Sequence, residues 1–189
     1  MDITELILDD HREQRRLFAM LEQIDPGDTA TLAAIWGRLA TFLELHAAAE
    51  EEIFYPQLLR MGRRAGRLGT AEDETLDAIG DHNEIRDAVT AVAGHETGSE
   101  DWLAAVAEAN KANGDHMAEE EREGLTDFRR EAGLQLRHDM AVTFAAYEAR
   151  NFAGVTPVDK DPEEYVEEAE RADGGRAPGS LGIGSLKGR

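Results

Sequence analysis

The chain contains no cysteine. That one absence excludes disulfides, thiolate metal sites and thiol nucleophiles together. Basic residues are scarce, with 20 Lys and Arg against 40 Asp and Glu, a formal charge of -20. Nucleic acid is therefore not an expected partner, because phosphate contacts need clustered Lys and Arg. No run approaches the roughly 18 to 20 apolar residues of a membrane span, so a membrane is not an expected partner either. The opening MDITELILDD is acidic and lacks the basic start of a signal peptide, which makes a cytoplasmic protein the expectation. Alternating β-branched runs are also missing, and with them any strand signal.

What the chain does have is helix punctuation. At 189 residues and 41% hydrophobic content it can form one domain with a substantial core. Asp2-Ile3-Thr4-Glu5 resembles a capping box and opens a helix running to about Ile24, stopped by Asp25-Pro26-Gly27. A second helix starts near Thr29 and carries Leu39, Leu43, His46, Glu50 and Ile53 on one stripe. Pro56 should kink or end it, and the Gly- and Arg-rich segment Met61 to Thr70 reads as a loop. A third helix spans about 71–93, and a fourth follows a Ser99 cap. Gly133 then precedes a fifth, 134–152. The expected fold is all-α: an antiparallel four-helix bundle over 1–152, with the fifth helix as an extension. Residues 153–189, rich in Pro, Gly and charge, read as an irregular tail ending in the apolar but flexible GSLGIGSL stretch.

Four of the six histidines fall in a duplicated pattern. His11 precedes His46-Ala-Ala-Ala-Glu50 by 35 residues, and His82 precedes His116-Met-Ala-Glu-Glu120 by 34. Residues i and i+4 share one helix face, so each histidine–glutamate pair points the same way. A lone histidine on an apolar stripe is usually a hydrogen-bonded core residue. Acids fill 40 of 189 positions, so a single HxxxE also arises easily by chance. Two such units, each preceded by a histidine at a matching distance and all on core-facing stripes, do not. Six buried polar groups are costly unless they satisfy one another or bind metal. Imidazole and carboxylate without thiolate suit iron or manganese, with zinc possible. Glu50 and Glu120 are placed to bridge two ions. How the histidines divide between those ions is left open.

The order H…HxxxE…H…HxxxE on four helices, with EEIFYP around and after Glu50, resembles the hemerythrin family in its HHE cation-binding branch. The similarity covers about residues 3 to 130. It implies a non-haem pair of iron ions with oxo or hydroxo bridges, held by His11, His46, Glu50, His82, His116 and Glu120. It further implies small-molecule partners: peroxide, O2 or nitric oxide. Ferritin-like di-iron bundles use ExxH motifs instead, and none is organised that way here. One departure stands out. Oxygen carriers of the family have a second histidine one turn after the third helix's first, where this chain has Arg86, with Arg15 at the matching place after His11. One histidine fewer leaves an open position and favours reactivity over reversible oxygen storage. A catalase- or peroxidase-like activity is one expectation, and a non-catalytic iron or oxygen sensor or iron store is the alternative. A zinc-only structural site is a third.

Other residues carry weaker expectations. Arg15 and Arg86 either pair with surface acids or hold Glu50 and Glu120 from behind. Tyr55 is nine residues beyond His46, about 180° round an ideal helix, and should point away from the metals. Glu51 is expected to be solvated, and His95 to be a loop residue. His138 joins the site only if its helix reaches the bundle's open end. Trp36, Phe42 and Trp102 read as core.

Overall fold

The computed structural model describes residues 1–66 and 68–174. Every regular element among them is helical. The helices are α1 (Ile3–Leu21), α2 (Thr29–Ala49), α3 (Tyr55–Ala65), α4 (Leu68–Ala93), α5 (Glu100–Arg122), α6 (Gly124–Glu131), α7 (Leu134–Asn151) and α8 (Pro162–Gly174), with a π-helical turn, Glu50–Phe54, joining α2 to α3. None is long and apolar enough to cross a membrane.

Capping residues fix the starts. Asp2 accepts from the Thr4 amide at 3.0 Å, Asp28 from Thr31 at 3.2 Å, and Ser99 from Trp102 at 3.1 Å. Each satisfies an otherwise orphaned N–H of a first turn. The reciprocal arm of the capping box is absent, because Glu5 pairs with Arg129 instead. Gly98 closes the loop between α4 and α5 at φ 83°, and a Cβ there would sit 2.2 Å from the Pro26 carbonyl oxygen. The loops ending α1 and α4 thus touch at one end of the molecule through a residue only glycine can supply.

α1 packs on α2 and α5, and α4 packs on α5 and α2. The core divides in two. One cluster contains Leu17, Phe18, Leu39, Trp36 and Trp102, with the two indole rings 6.1 Å apart edge-on. The other contains Ile3, Ile7, Phe54, Tyr55, Phe128 and Phe144. The polar stripe residues lie between them: along α1 the order is Ile7, His11, Gln14, Leu17, all buried.

Three features differ from the sequence reading. Pro56 does not end the helical path. Its missing N–H and bulky ring fall in the first turn of α3, directly after the wide π turn, where a helix tolerates proline. The presumed loop from Met61 is therefore helical to Ala65, and the turn is made by Gly66 at φ 72°. Second, the fourth helix stops at Arg122 and a short α6 precedes Gly133. Third, the supposedly irregular tail contains α8. Asp161 caps it by accepting from the Glu164 amide at 2.9 Å, Pro162 occupies its first position, and it docks on α3 and α4. Its apolar stripe is thin (Tyr165, Val166, Ala169), so charge masked the periodicity. The GSLGIGSL segment lies outside the described residues.

Candidate metal centre

The duplicated residues converge. His11, Glu50 and His82 are 0 to 1% exposed, and His46, His116 and Glu120 are buried. Donor atoms of His11, His46 and Glu50 all lie within 4.8 Å of one another, as do those of Glu50, His82 and His116. Glu50 belongs to both groups. Its Oε1 is 3.0 Å from His46 Nε2 and its Oε2 is 3.3 Å from His82 Nε2. Glu120 Oε2 lies 3.3 Å from His11 Nε2, and the Nε2 atoms of His82 and His116 face each other at 3.2 Å.

These inward atoms are poorly served by the protein. The Nε2 atoms of His11 and His46, both oxygens of Glu50 and Oε2 of Glu120 are buried without a hydrogen bond. Fully buried polar groups in that condition cost stability. A set of imidazole nitrogens and carboxylate oxygens, all aimed at one interior volume, fits two transition-metal ions sharing Glu50.

The outward nitrogens are all held by acids. His46 Nδ1 faces Asp10 Oδ2 at 3.1 Å and His116 Nδ1 faces Asp81 Oδ2 at 3.4 Å. His82 Nδ1 faces Glu51 Oε1 and His11 Nδ1 faces Glu121 Oε1, both at 2.9 Å. The duplicated unit is therefore larger than the spacing suggested. Each aspartate immediately precedes a site histidine and orients the histidine of the next helix. Each second glutamate immediately follows a site glutamate and orients a histidine across the core. Carboxylates behind metal-binding histidines fix the tautomer with Nε2 free and raise its basicity.

Electrostatics follow from this layout. Burial lowers the His82 pKa, but Glu50 and Glu51 more than offset it, leaving it raised to about 9. Burial raises Glu51, yet His82, Lys160 and Arg86 hold it down to about 2. On the flank, burial and the neighbouring Asp10 push Glu148 of α7 up to about 7.

Several single-residue expectations are corrected. Glu51 is not solvated: it is 3% exposed and also pairs with Arg86 at 2.7 Å and Lys160 Nζ at 2.6 Å. Arg86 does not touch Glu50. It bonds Glu51, Glu44 and Asn83. Arg15 bonds Glu121 at 2.8 Å rather than Glu120. Tyr55 points toward the converging histidines and glutamates, not away, and donates to Glu120 Oε1 at 2.8 Å. Burial raises its pKa well above the usual phenol value, so the hydroxyl keeps its proton. His138 stays outside, next to the Met1 carbonyl, and His95 is exposed. Trp36 and Trp102 are core, while half-buried Phe42 packs its ring 6.2 Å from that of His46.

The hemerythrin HHE cation-binding domain profile matches residues 2–125. This chain belongs to that family. Among curated proteins and among solved structures, no match was found. The hemerythrin match covers all six converging residues and stops before α7 and α8. Lys160, which ion-pairs with Glu51, and Tyr165, which donates to the Glu51 carbonyl, therefore come from beyond it. Composition masked this contribution, and nothing in the H…HxxxE spacing pointed to it.

Proposed function

We propose that this hemerythrin-family chain is a di-iron protein that reacts with peroxide, O2 or nitric oxide, in the manner of a catalase or peroxidase. In this reading α1, α2, α4 and α5 form an antiparallel four-helix bundle around the two ions. His11, His46 and Glu50 hold one, His82, His116 and Glu50 the other, and Glu120 completes the site beside His11. The observation that carries the reading is Glu50 itself: fully buried, free of hydrogen bonds, and directed by separate oxygens at two histidine pairs. Iron is preferred on the family resemblance; the donors themselves, mixed imidazole and carboxylate with no sulfur, suit iron or manganese and admit zinc.

Bound iron supplies two-electron redox chemistry at such a site. The chain's own groups do the rest. Asp10, Asp81, Glu51 and Glu121 lock the imidazoles with Nε2 inward. Tyr55 ties down one Glu120 oxygen and leaves the other free. A crevice of about 20 Å³ lined by Asp77, Asp81, Glu119 and Glu123 reaches His116 and Glu120. It has room for little more than a water, which supports a reactant of two or three atoms. Arg86 is engaged with acids and offers no nitrogen to replace the carriers' fifth histidine, so reversible oxygen carriage is not supported. No partner beyond small molecules is proposed, and a cytoplasmic location remains the expectation.

The test is metal analysis and absorption spectroscopy of aerobically purified protein. Two irons per chain with a near-ultraviolet oxo-bridge band are expected, the band being lost in His46→Ala. Peroxide consumption no faster than that of free iron would remove the catalytic reading. A second reading, an iron or oxygen sensor, is favoured by the contacts of Lys160 and Tyr165 with Glu51, which tie a C-terminal helix to the site. Iron-dependent protection of α8 from hydrogen exchange, without turnover, would select it.

A further inference from the structure

The histidine layer is not symmetric on its flank toward the tryptophans. At an offset of 71 residues, His11 matches His82 and Gln14 matches Ile85. At an offset of 70, His116 matches His46 and Asn113 matches Leu43. Ile85 and Leu43 are buried members of the tryptophan-side core. In the other half the same two places hold amides, Gln14 at 0% and Asn113 at 3% exposure. Asn113 Nδ2 donates to Gln14 Oε1 at 3.0 Å and to Met117 Sδ at 3.6 Å.

That pairing leaves a surplus. Two primary amides carry four N–H groups, and these two contacts use two. Gln14 Nε2 is buried without any hydrogen bond. The cost of burying an unsatisfied amide needs a reason, since an isoleucine and a leucine fill the equivalent space without one. Three residues along a helix is 300° and about 4.5 Å, so Gln14 stands one turn from His11 on the same inward stripe, and Asn113 one turn from His116. Their mutual hydrogen bond puts both at one level, beside the layer where the orphaned Nε2 and carboxylate atoms meet. Of the two donor groups described above, His11 belongs to one and His116 to the other. The amide pair therefore adjoins both ions.

We infer that Gln14, positioned by Asn113, is the hydrogen-bond donor for the outer atom of a small ligand bound at the metal centre. The class is a two- or three-atom acceptor such as peroxide, superoxide, nitric oxide or azide. The inference rests on the di-iron reading and places the ligand's outer atom at the α1–α5 flank, across the site from the crevice that Tyr55 and Leu58 help to line. Tyr55 belongs to the opposite core cluster and is already committed to Glu120. Ile85 and Leu43 offer nothing polar on the α2–α4 side.

The probe is azide, titrated into iron-loaded full-length protein and followed by its charge-transfer absorption. Gln14→Met keeps the length of the side chain and removes the donor; Asn113→Leu removes the group that aims it. Each is expected to weaken azide binding about tenfold, the loss of one hydrogen bond to a buried charged ligand. Iron content is expected to stay the same, while the melting temperature is expected to fall slightly, because each substitution orphans the other half of the Gln14–Asn113 hydrogen bond. Gln14→Glu, an acceptor at the same place, should also fail to bind azide at wild-type affinity. Equal azide affinity in wild type and Gln14→Met overturns the inference. A folded Gln14→Met that no longer retains two irons also overturns it, by making Gln14 a metal-retention residue. Absence of any azide band in the iron-loaded wild type refutes the di-iron reading itself, which separates the two failures.

Discussion

Tyr55 donates its phenolic hydrogen to Glu120 Oε1 at 2.8 Å, joining the helix after the first HxxxE unit to the glutamate of the second. The π turn makes this possible. It begins at Glu50 and inserts an extra residue into one helical turn, delaying everything after it by about 100°. Tyr55 thereby rotates from the far side of the helix to the inner face. Tyr55→Phe leaves a buried carboxylate oxygen without its donor. The metal-free protein should lose about 1–3 kcal/mol of stability in urea unfolding. Iron-loaded protein should keep its metal, because Glu120 Oε2 is not the atom Tyr55 holds. An unchanged urea midpoint would mean that water replaces the phenol at no cost.

The metal-free and metal-bound forms should respond oppositely to pH. His82 carries a pKa of about 9, since Glu50 and Glu51 outweigh the effect of burial. Below that pH a metal ion must displace its proton, so metal affinity rises with pH toward about 9. For the metal-free fold, a pKa raised from 6.5 contributes stability that is complete below pH 6.5 and is lost as pH climbs through about 9. Between those limits the melting temperature of the metal-free form should fall while metal affinity increases. Thermal melts and a metal competition assay at fixed ionic strength check both trends. The same direction in both would show that His82 is neutral without metal. Glu51 supplies the acid limb: lowered from 4.5 to about 2, it contributes stability above pH 4.5 that disappears as pH falls toward 2.

The legible part of this protein was whatever repeats with helical periodicity. His11, His46, Glu50, His82, His116 and Glu120 lie on unbroken stripes of α1, α2, α4 and α5, the stripe of α2 reaching Glu50 at its end, so counting 100° per residue brought all six inward. The caps at Asp2 and Ser99 are local chemistry and were equally readable. Periodicity failed at its first interruption. Glu51 and Tyr55 follow the onset of the π turn, and both were assigned the wrong side of the helix. α8 was hidden for a different reason: a helix that docks through three apolar residues looks like a charged tail. For Arg86 and Arg15 the reading of pairing with nearby acids holds and the alternative contact with Glu50 and Glu120 does not, because i+4 geometry gives a face and not the identity of an acid on another helix.

Gly98 offers a test of the contact between the loops that end α1 and α4. At φ 83° with the Pro26 oxygen 2.2 Å from an added Cβ, neither the backbone nor the neighbouring loop accepts a side chain. Gly98→Ala should destabilise the fold by more than about 1 kcal/mol, well beyond the effect of a surface substitution. Gly114→Ala, with open space around the new Cβ and in the middle of α5, should instead be neutral or stabilising by up to about 1 kcal/mol. Comparing the two in chemical denaturation separates backbone strain from a general loss of glycine.

The two halves of the duplicated site differ most in what stands behind them. Glu51 has a side chain 1% exposed and is held by Arg86 and by Lys160, whose own backbone is pinned by a two-way exchange with Asn83. Glu121, its counterpart, is 29% exposed and, among the described residues, is backed behind His11 by the half-exposed Arg15. Removing the outer partner of a metal-binding histidine typically costs 10–100-fold in metal affinity. Glu51→Gln should therefore weaken the ion at His82 and His116, and Glu121→Gln the one at His11, each by about that factor. Lys160→Ala distinguishes the halves. It unbalances a carboxylate that has almost no access to water, whereas Arg15→Ala acts on one that water can screen. Stepwise iron loading measured by calorimetry should show one of two steps weakened in Lys160→Ala and neither changed more than a few-fold in Arg15→Ala. Equal effects of the two substitutions would mean that the segment after α7 contributes no more to the centre than an exposed ion pair does.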